Sequence, residues 1–325
     1  MNGKQKIVIV VLAFVCLSLI FIAGLLVGKY RGIPFVKKQE GWSIGIYIGE
    51  SPIKLSPPSK IKNPVLTAGD VTDVGAAYVA DPFMIEEQGK WYMFFEVKNL
   101  RNLQGDIGLA TSRDGFNWNY EGIILDEPFH LSYPYVFKWK GNYFMVPESS
   151  QSGSIRLYKG VRFPKQWSLV KILLRDVVYA DPSIFHYAGR WWMFASSSKN
   201  DVLKFYLAKD LIGPWVEHPA SPIIKGDSRI ARPGGRVIPF EGGLLRYTQD
   251  DSSVYGYQVR AFAINELTPS KYREKEIQGN PIIKASGIGW NAKGMHTIDP
   301  HKLDENKWLA CVDGKGSTLH FGFKY

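Results

Sequence analysis

Two carboxylates stand in the same frame a hundred residues apart. Asp81 heads "ADPFMIEEQGKWYMFFE" after its Ala, and Asp181 heads "ADPSIFHYAGRWWMFAS". In weaker copies of that frame the residue before Pro is Tyr133, Arg232 or Asp299. Paired carboxylates facing one pocket are the equipment of glycoside chemistry, one as acid and one as base or nucleophile. Glu148 in "MVPESS", just after Pro147 and beside an aromatic strand, is a candidate acid. Glu96 in "MFFEVK" and Asp250 in "YTQDD" end the equivalent strands of other copies. His130 and His296 each come just before an inner strand and are candidates to bind sugar hydroxyls or phosphate. Arg232 suits an anionic group, because its guanidinium pairs bidentately with phosphate or carboxylate. An Asp before Pro often only caps its own turn. A cap would tolerate Asp in every copy, yet here the position changes chemistry from copy to copy, which favours a ligand.

The elements that must position these groups are read from the repeat. Pro82, Pro134 and Pro182 each have Gly seven residues on (Gly89, Gly141, Gly189) and an aromatic two further (Trp91, Tyr143, Trp191). Each unit is an apolar strand, a tight Gly turn and an aromatic strand. "RPGGRVIPFEGGLLRYTQD" is a fourth copy and "DPHKLDENKWLACVD" a fifth, one residue shorter before its Trp. Hairpin units recurring at about 50 residues predict an all-β fold, a five-bladed β-propeller. "GDIGLATSRDGFNWNYEG", with its Asp-Gly turn, and later equivalents supply the outer strands. The strand near Trp42–Ile48 and the last one, "TLHFGFKY", are expected to share a sheet and close the ring. The residue before each Pro is expected to be extended, at the start of an inner strand and facing the channel mouth. Tyr133, Arg232, His130, Glu96, Asp250, His296 and Asp299 are therefore expected to bind substrate.

Ile7–Gly28 carries no charge and is long enough to cross a bilayer. It exceeds a signal peptide's apolar region and lacks a small-residue exit. Three segments follow: a membrane anchor at 1–28, a basic juxtamembrane linker at 29–40 and the propeller at 41–325. The positive-inside rule alone would put the following side in the cytoplasm. A folded domain after one N-terminal span commonly lies on the far side, and the extracytoplasmic or lumenal side is expected. Of the net charge of +10, six basic groups and no acidic ones fall in residues 1–38. That stretch suits anionic headgroups; the remainder carries no basic stripe, so no nucleic-acid partner is expected. Cys16 lies in the apolar segment and Cys311 is alone in the domain, with no zinc spacing. Neither a metal nor a cofactor is expected.

These residues carry a resemblance. Asp-Pro leading the inner strands of a five-bladed propeller is similar to the arabinanase and β-xylosidase glycoside hydrolase clan. The runs "WSIGIYIG", "GDIGLATSRDGFNW", "FHLSYPYVF", "LYKGVRFPKQW", "ARPGGR" and "GMHTIDPHK" resemble more closely the N-terminal domain of plant glucosamine inositolphosphorylceramide transferase and its bacterial relatives. The likeness spans about Trp42 to Lys302. It implies a membrane-anchored, glycan-active protein with a carbohydrate or glycolipid substrate. In the hydrolase clan a first-blade Asp is the base, a third-blade Asp tunes pKa and a fourth-blade Glu is the acid. Asp81 and Asp181 match the first two; the acid's place falls at Arg232, where the pattern breaks and Glu148 becomes the substitute. The plant proteins also carry a separate glycosyltransferase domain without a counterpart in this reading. The alternative to an enzyme is therefore a lectin-like propeller that assists a partner glycosyltransferase.

Overall fold

The computed structural model describes residues 3–30 and 36–321, with side chains over 3–25 and 40–317. Residues 31–35 of the expected basic linker and 322–325 of the expected propeller lie outside the described residues. Helix α1 (Gly3–Tyr30) contains the stretch Gly3–Leu25, long and apolar enough to cross a membrane. A signal sequence would meet the same test. Gly41–Gly316 form a separate compact unit, and it carries the site.

That unit is a five-bladed propeller. Strands β1 (Val36–Ser51) and β2 (Lys54–Ser56) come first in the chain. Blade one is β3 (Ala76–Glu87), β4 (Lys90–Asn99), β5 (Gly105–Ser112) and β6 (Asn119–Leu125). Blade two is β7 (Ser132–Trp139), β8 (Asn142–Glu148), β9 (Ser154–Arg162) and β10 (Gln166–Arg175). Blade three is β11 (Tyr179–Tyr187), β12 (Arg190–Ser197), β13 (Val202–Ala208) and β14 (Val216–Glu217), with β15 (Ile224–Lys225) also on β13. In blade four the inner strand is broken into β16 (Arg232–Pro233) and β17 (Ile238–Phe240), both on β18 (Gly243–Asp250). β19 (Gln258–Leu267), β20 (Tyr272–Glu276) and β21 (Ile283–Lys284) complete it. Blade five takes β22 (Ile298–Asp304) and β23 (Lys307–Phe321) from the end of the chain and β1 and β2 from its start, in the order β2-β1-β23-β22. The expected ring closure is therefore built.

The repeated Gly has a backbone reason. Gln88 and Gly89 have φ of 54° and 75°, and the pairs Lys140–Gly141, Ala188–Gly189 and Glu241–Gly242 are alike. Positive φ at both central residues is the requirement of a two-residue type I′ hairpin, and Gly meets it without steric cost. The cores lie between neighbouring blades. Phe83 and Phe94 of blade one pack with Tyr135 and Met145 of blade two, and Phe194 of blade three joins Leu244 of blade four in another cluster.

The inner strands depart from expectation at the residue before Pro. Asp81, Tyr133 and Asp181 have φ of 53°, 44° and 50°, in the left-handed region rather than extended. The cause is a bulge. In blade one the pairing jumps from Ala80–Glu96 to Phe83–Phe94, so two residues face one. Blades two and three jump in the same place. A bulge re-aims a side chain and often adjoins a site. The strained conformation costs about 1–3 kcal/mol per residue, and Asp81 is held in it by a bond from its N–H to Asp313 Oδ2 at 3.0 Å.

Candidate functional site

The second strands carry a fivefold series level with the start of the inner strands. Opposite Ala80, Ser132, Ala180 and Arg232 stand Glu96, Glu148, Ser196 and Gln249. In blade five Asp313 takes this place, its N–H bonded to Thr297 O at 3.3 Å. All five side chains are buried. Each lies five residues beyond the repeat's aromatic position, counted from Trp91, Tyr143, Trp191, Leu244 and Trp308. That count would have found Gln249, Ser196 and Asp313. Asp250, one residue beyond Gln249, falls on the other face by the two-residue strand period. Its oxygens accept from Ser252 and Gln258.

Asp81 lies at the meeting of blades one and five. Thr297 Oγ1 donates to its Oδ1 at 2.7 Å, and His296 Nε2 lies 3.5 Å from the same oxygen. The other ring nitrogen of His296 is 2.7 Å from Asp313 Oδ2. Trp42 of β1 stacks on the imidazole at 3.9 Å between centroids, with Tyr255 edge-on at 5.4 Å. Burial pulls the His296 pKa down, but the Asp313 and Asp81 charges outweigh it and hold the pKa at about 9. Burial pushes the Asp81 carboxyl up and His296 opposes it; the Asp181 and Asp313 charges add to the rise, leaving it at about 6.

Asp81, His296 and Asp313 offer three ligand atoms within 4.8 Å of one another, a spacing that would suit a cation. The hydrogen bonding argues otherwise. Asp313 Oδ1 accepts the backbone N–H groups of His296 and Thr297, and Oδ2 accepts that of Asp81. Its lone pairs are spent on N–H groups, and the set reads as an imidazolium between two carboxylates.

Glu148 is buried, with Oε1 accepting from Ser150 N at 3.1 Å and Oε2 from Ser132 Oγ at 3.3 Å. Burial raises its pKa, Ser150 opposes, and the Asp181 charge raises it further, to about 7. Glu96 is pushed well above the usual carboxylate range by burial and then by the charge on Asp81. Gly105 N donates to His130 Nδ1 at 2.8 Å, fixing the neutral tautomer with its proton on Nε2, 3.6 Å from Glu96 Oε1. Burial, then Lys98 and Arg232, lower the His130 pKa to about 4.

Asp181 is fully buried and fully engaged. Arg232 donates to it through Nε at 2.7 Å and Nη2 at 3.3 Å, and Gln249 Nε2 through 2.6 Å. Arg232 also reaches Asn200 Oδ1 and lies under the Tyr255 ring. Its charge is thus balanced within the fold, with N–H groups left on a slightly exposed edge. Asp251, which the sequence reading passed over for its neighbour Asp250, belongs here. Burial raises its pKa, while Arg232 and His296 act against the rise; its Oδ2 is buried without a hydrogen-bond partner. The structure thus gathers Asp81, Glu96, His130, Glu148, Asp181, Arg232 and His296, and adds Asp251, Tyr255 and Asp313.

Besides Asp250, two expected residues lie elsewhere. Tyr133 is fully buried, its OH bonded to Ser183 Oγ and to both N and O of Gly235. Asp299 pairs with Cys311, the register that Phe83 and Phe94 hold in blade one, because blade five has no bulge at its Asp-Pro. Asp299 therefore sits deeper along the axis. Arg236, carried out of blade four by the Gly234–Gly235 break, donates to it at 2.7 Å and to the carbonyls of Met84 and Val136. Tyr133 and Arg236 cross the axis and separate the site end from the hairpin end.

Residues 36–315 match the family described as "Glucosamine inositolphosphorylceramide transferase 1, N-terminal". The chain belongs to this family. It is 38% identical over 308 residues to glucosamine inositolphosphorylceramide transferase 1 of Oryza sativa subsp. japonica, covering 87% of this chain and 41% of that protein. The Arabidopsis thaliana protein of the same name is 36% identical over 305 residues, covering 86% and 40%. The chain thus spans about two fifths of these relatives' length. A putative glycosidase from Bacteroides thetaiotaomicron VPI-5482 superimposes with a TM-score of 0.60 at 14% identity, over 82% of this chain and 96% of that one. For this member of the glucosamine inositolphosphorylceramide transferase 1 N-terminal family, that likeness is one of fold.

Proposed function

We propose that the site end of the propeller cleaves or transfers a glycosyl unit of a cell-envelope or lipid-linked glycan, with α1 as the membrane anchor and the propeller on the extracytoplasmic or lumenal side. The carrying observation is the pair Asp81 and Glu148, two buried carboxyls with pKa values of about 6 and about 7. Burial raises both carboxyls towards neutral pH, the range in which a general base and a general acid work. Asp81, mostly ionised at pH 7, is the base or nucleophile; Glu148, still protonated in good part, is the acid that the break at Arg232 required. Asp181, held by Arg232 and Gln249, orients and tunes. His130, Glu96, Asp251 and the free edge of Arg232 are the hydrogen-bonding groups offered to a polar substrate. The relatives' name contains glucosamine and inositolphosphorylceramide, so a glycosylated inositol-phosphate headgroup is the first substrate class to test.

The test uses the full chain in detergent, a panel of aryl glycosides and a glycosylated inositolphosphorylceramide, with released sugar as the readout. Asp81→Asn is expected to abolish turnover of every substrate. Glu148→Gln is expected to spare dinitrophenyl glycosides, whose leaving group needs no proton. Equal turnover by Asp81→Asn and the unsubstituted chain would sink the assignment.

A second reading is a carbohydrate-binding module that assists a partner glycosyltransferase. It is favoured by the locked state of Asp181, which the ion pair with Arg232 withdraws from chemistry. Glycan binding without turnover, retained in Glu148→Gln, would establish it.

A further inference from the structure

The hairpin end of the axis holds a cavity. It is about 780 Å³ and opens among the hairpin turns, on the opposite side of the Tyr133 and Arg236 crossings from Asp81. Apolar walls come from Met84, Trp91, Phe137 and Leu303; the cations at it are Arg113, Lys138, Arg236 and Lys302, against one lining carboxylate, Glu86. Two of the cations are already matched. Lys138 pairs with Glu87 at 2.5 Å, and Arg236 is held by Asp299. Glu86 accepts from Gly89 N at 2.6 Å. Arg113 and Lys302 are exposed, come from the neighbouring blades one and five, and have no ion-pair partner among the described residues. His301 spends Nε2 on Asp299 at 2.9 Å, leaving Nδ1 to serve a ligand, and sits edge-on to Trp91 at 5.4 Å.

We infer that this cavity is a binding site for a phosphate monoester carried on a small ring or apolar body, independent of the site at Asp81. A dianion is bridged by two cations from different blades better than a monoanion, since charge-assisted bonds form at both. The guanidinium of Arg113 offers the fork that matches phosphate oxygens. The carbon body lies against Trp91 and Phe137. The volume lies within the range of small-molecule sites, which are mostly apolar with a few placed polar groups. The same headgroup chemistry could be presented by a lipid or by a free ester, and the walls at Met84, Trp91, Phe137 and Leu303 favour the small ring of a free ester.

The test is calorimetry of the full chain in neutral detergent with phenyl phosphate, with neutral benzyl alcohol as the control and vesicles with or without phosphatidic acid as the lipid arm. Phenyl phosphate is expected to bind, more weakly as salt rises, and benzyl alcohol is not. Arg113→Ala combined with Lys302→Ala is expected to weaken phenyl phosphate by about tenfold or more, and both residues are exposed, so folding is spared. Absence of phenyl phosphate binding overturns the inference, as does equal binding by the double variant. Binding of phosphatidic acid vesicles without phenyl phosphate binding overturns it in favour of a lipid surface. None of these outcomes depends on glycosyl turnover, so the two readings fail separately.

Discussion

Asp81 and Asp299 carry the same two-residue signature, Asp-Pro at the head of an inner strand, in neighbouring blades. Their fates are opposite. Asp81 stands in a left-handed bulge among other carboxyls, and its pKa rises to about 6. Asp299 stands in a regular ladder with Arg236, His301 and Met84 N–H around it, and although burial would raise its pKa, Arg236 and His301 bring it well below the usual range. One residue of bulge separates a carboxyl raised towards neutral pH from a structural brace. The motif names the residue type; the register decides what it does.

The largest expected effect falls on the brace. Asp299→Asn should cost about 3–5 kcal/mol in chemical denaturation, because it leaves Arg236 buried without its counter-charge. Replacing both partners, Asp299→Leu with Arg236→Met, should recover most of that loss. Asp81→Asn should instead stabilise the fold at pH 7, by up to about 3 kcal/mol for a carboxyl moved from its ordinary value to about 6. If the two substitutions changed stability alike, the contrast would collapse.

The pH dependence follows with its sign. A raised carboxyl contributes stability that is full below its unfolded pKa and lost as pH rises through the folded one. Stability should therefore decline from about pH 4 through 6 and 7 as Asp81 and Glu148 ionise, and again as His296 loses its proton near 9. Asp299 acts the other way, its contribution being lost only as pH falls below the ordinary carboxylate range. Thermal melts across pH 3–10 check this, and Asp81→Asn should flatten the step between about 4 and 6. Turnover, where measured, should be bell-shaped with limbs near 6 and 7.

The smallest effect belongs to Tyr133, the bulge residue of blade two. Tyr133→Phe should cost about 1–2 kcal/mol by leaving Gly235 N–H without its acceptor. A loss of glycan binding with unchanged stability would instead move Tyr133 into the site.

The hairpins, the Gly turns and the five-fold count were legible because each rests on local chemistry: a type I′ turn needs positive φ, and an inner strand needs apolar alternation. The shared fifth blade was legible too, from a lone strand at each end. What the sequence hid was register. Aligning on Pro placed Asp299 beside Asp81, because a bulge inserts a residue without leaving a composition mark. Counting from the aromatic of the second strand gives Asp313 and Gln249, since no bulge interrupts that stretch. Asp250 and Asp251 differ by one step of a period of two and the turn that follows, a distinction that only the ladder makes.

The composite fifth blade has a consequence for how the protein is made. Domains form as the chain leaves the ribosome, first residues first, but β1 cannot complete its sheet until β23 is synthesised. His296, Thr297 and Asp313, which hold Asp81, also come last. Until β23 is made the first four blades wait with Asp81 unsupported, and ring closure and assembly of the site are a single event. A nascent chain should gain protease resistance and glycan recognition together, only when β23 emerges.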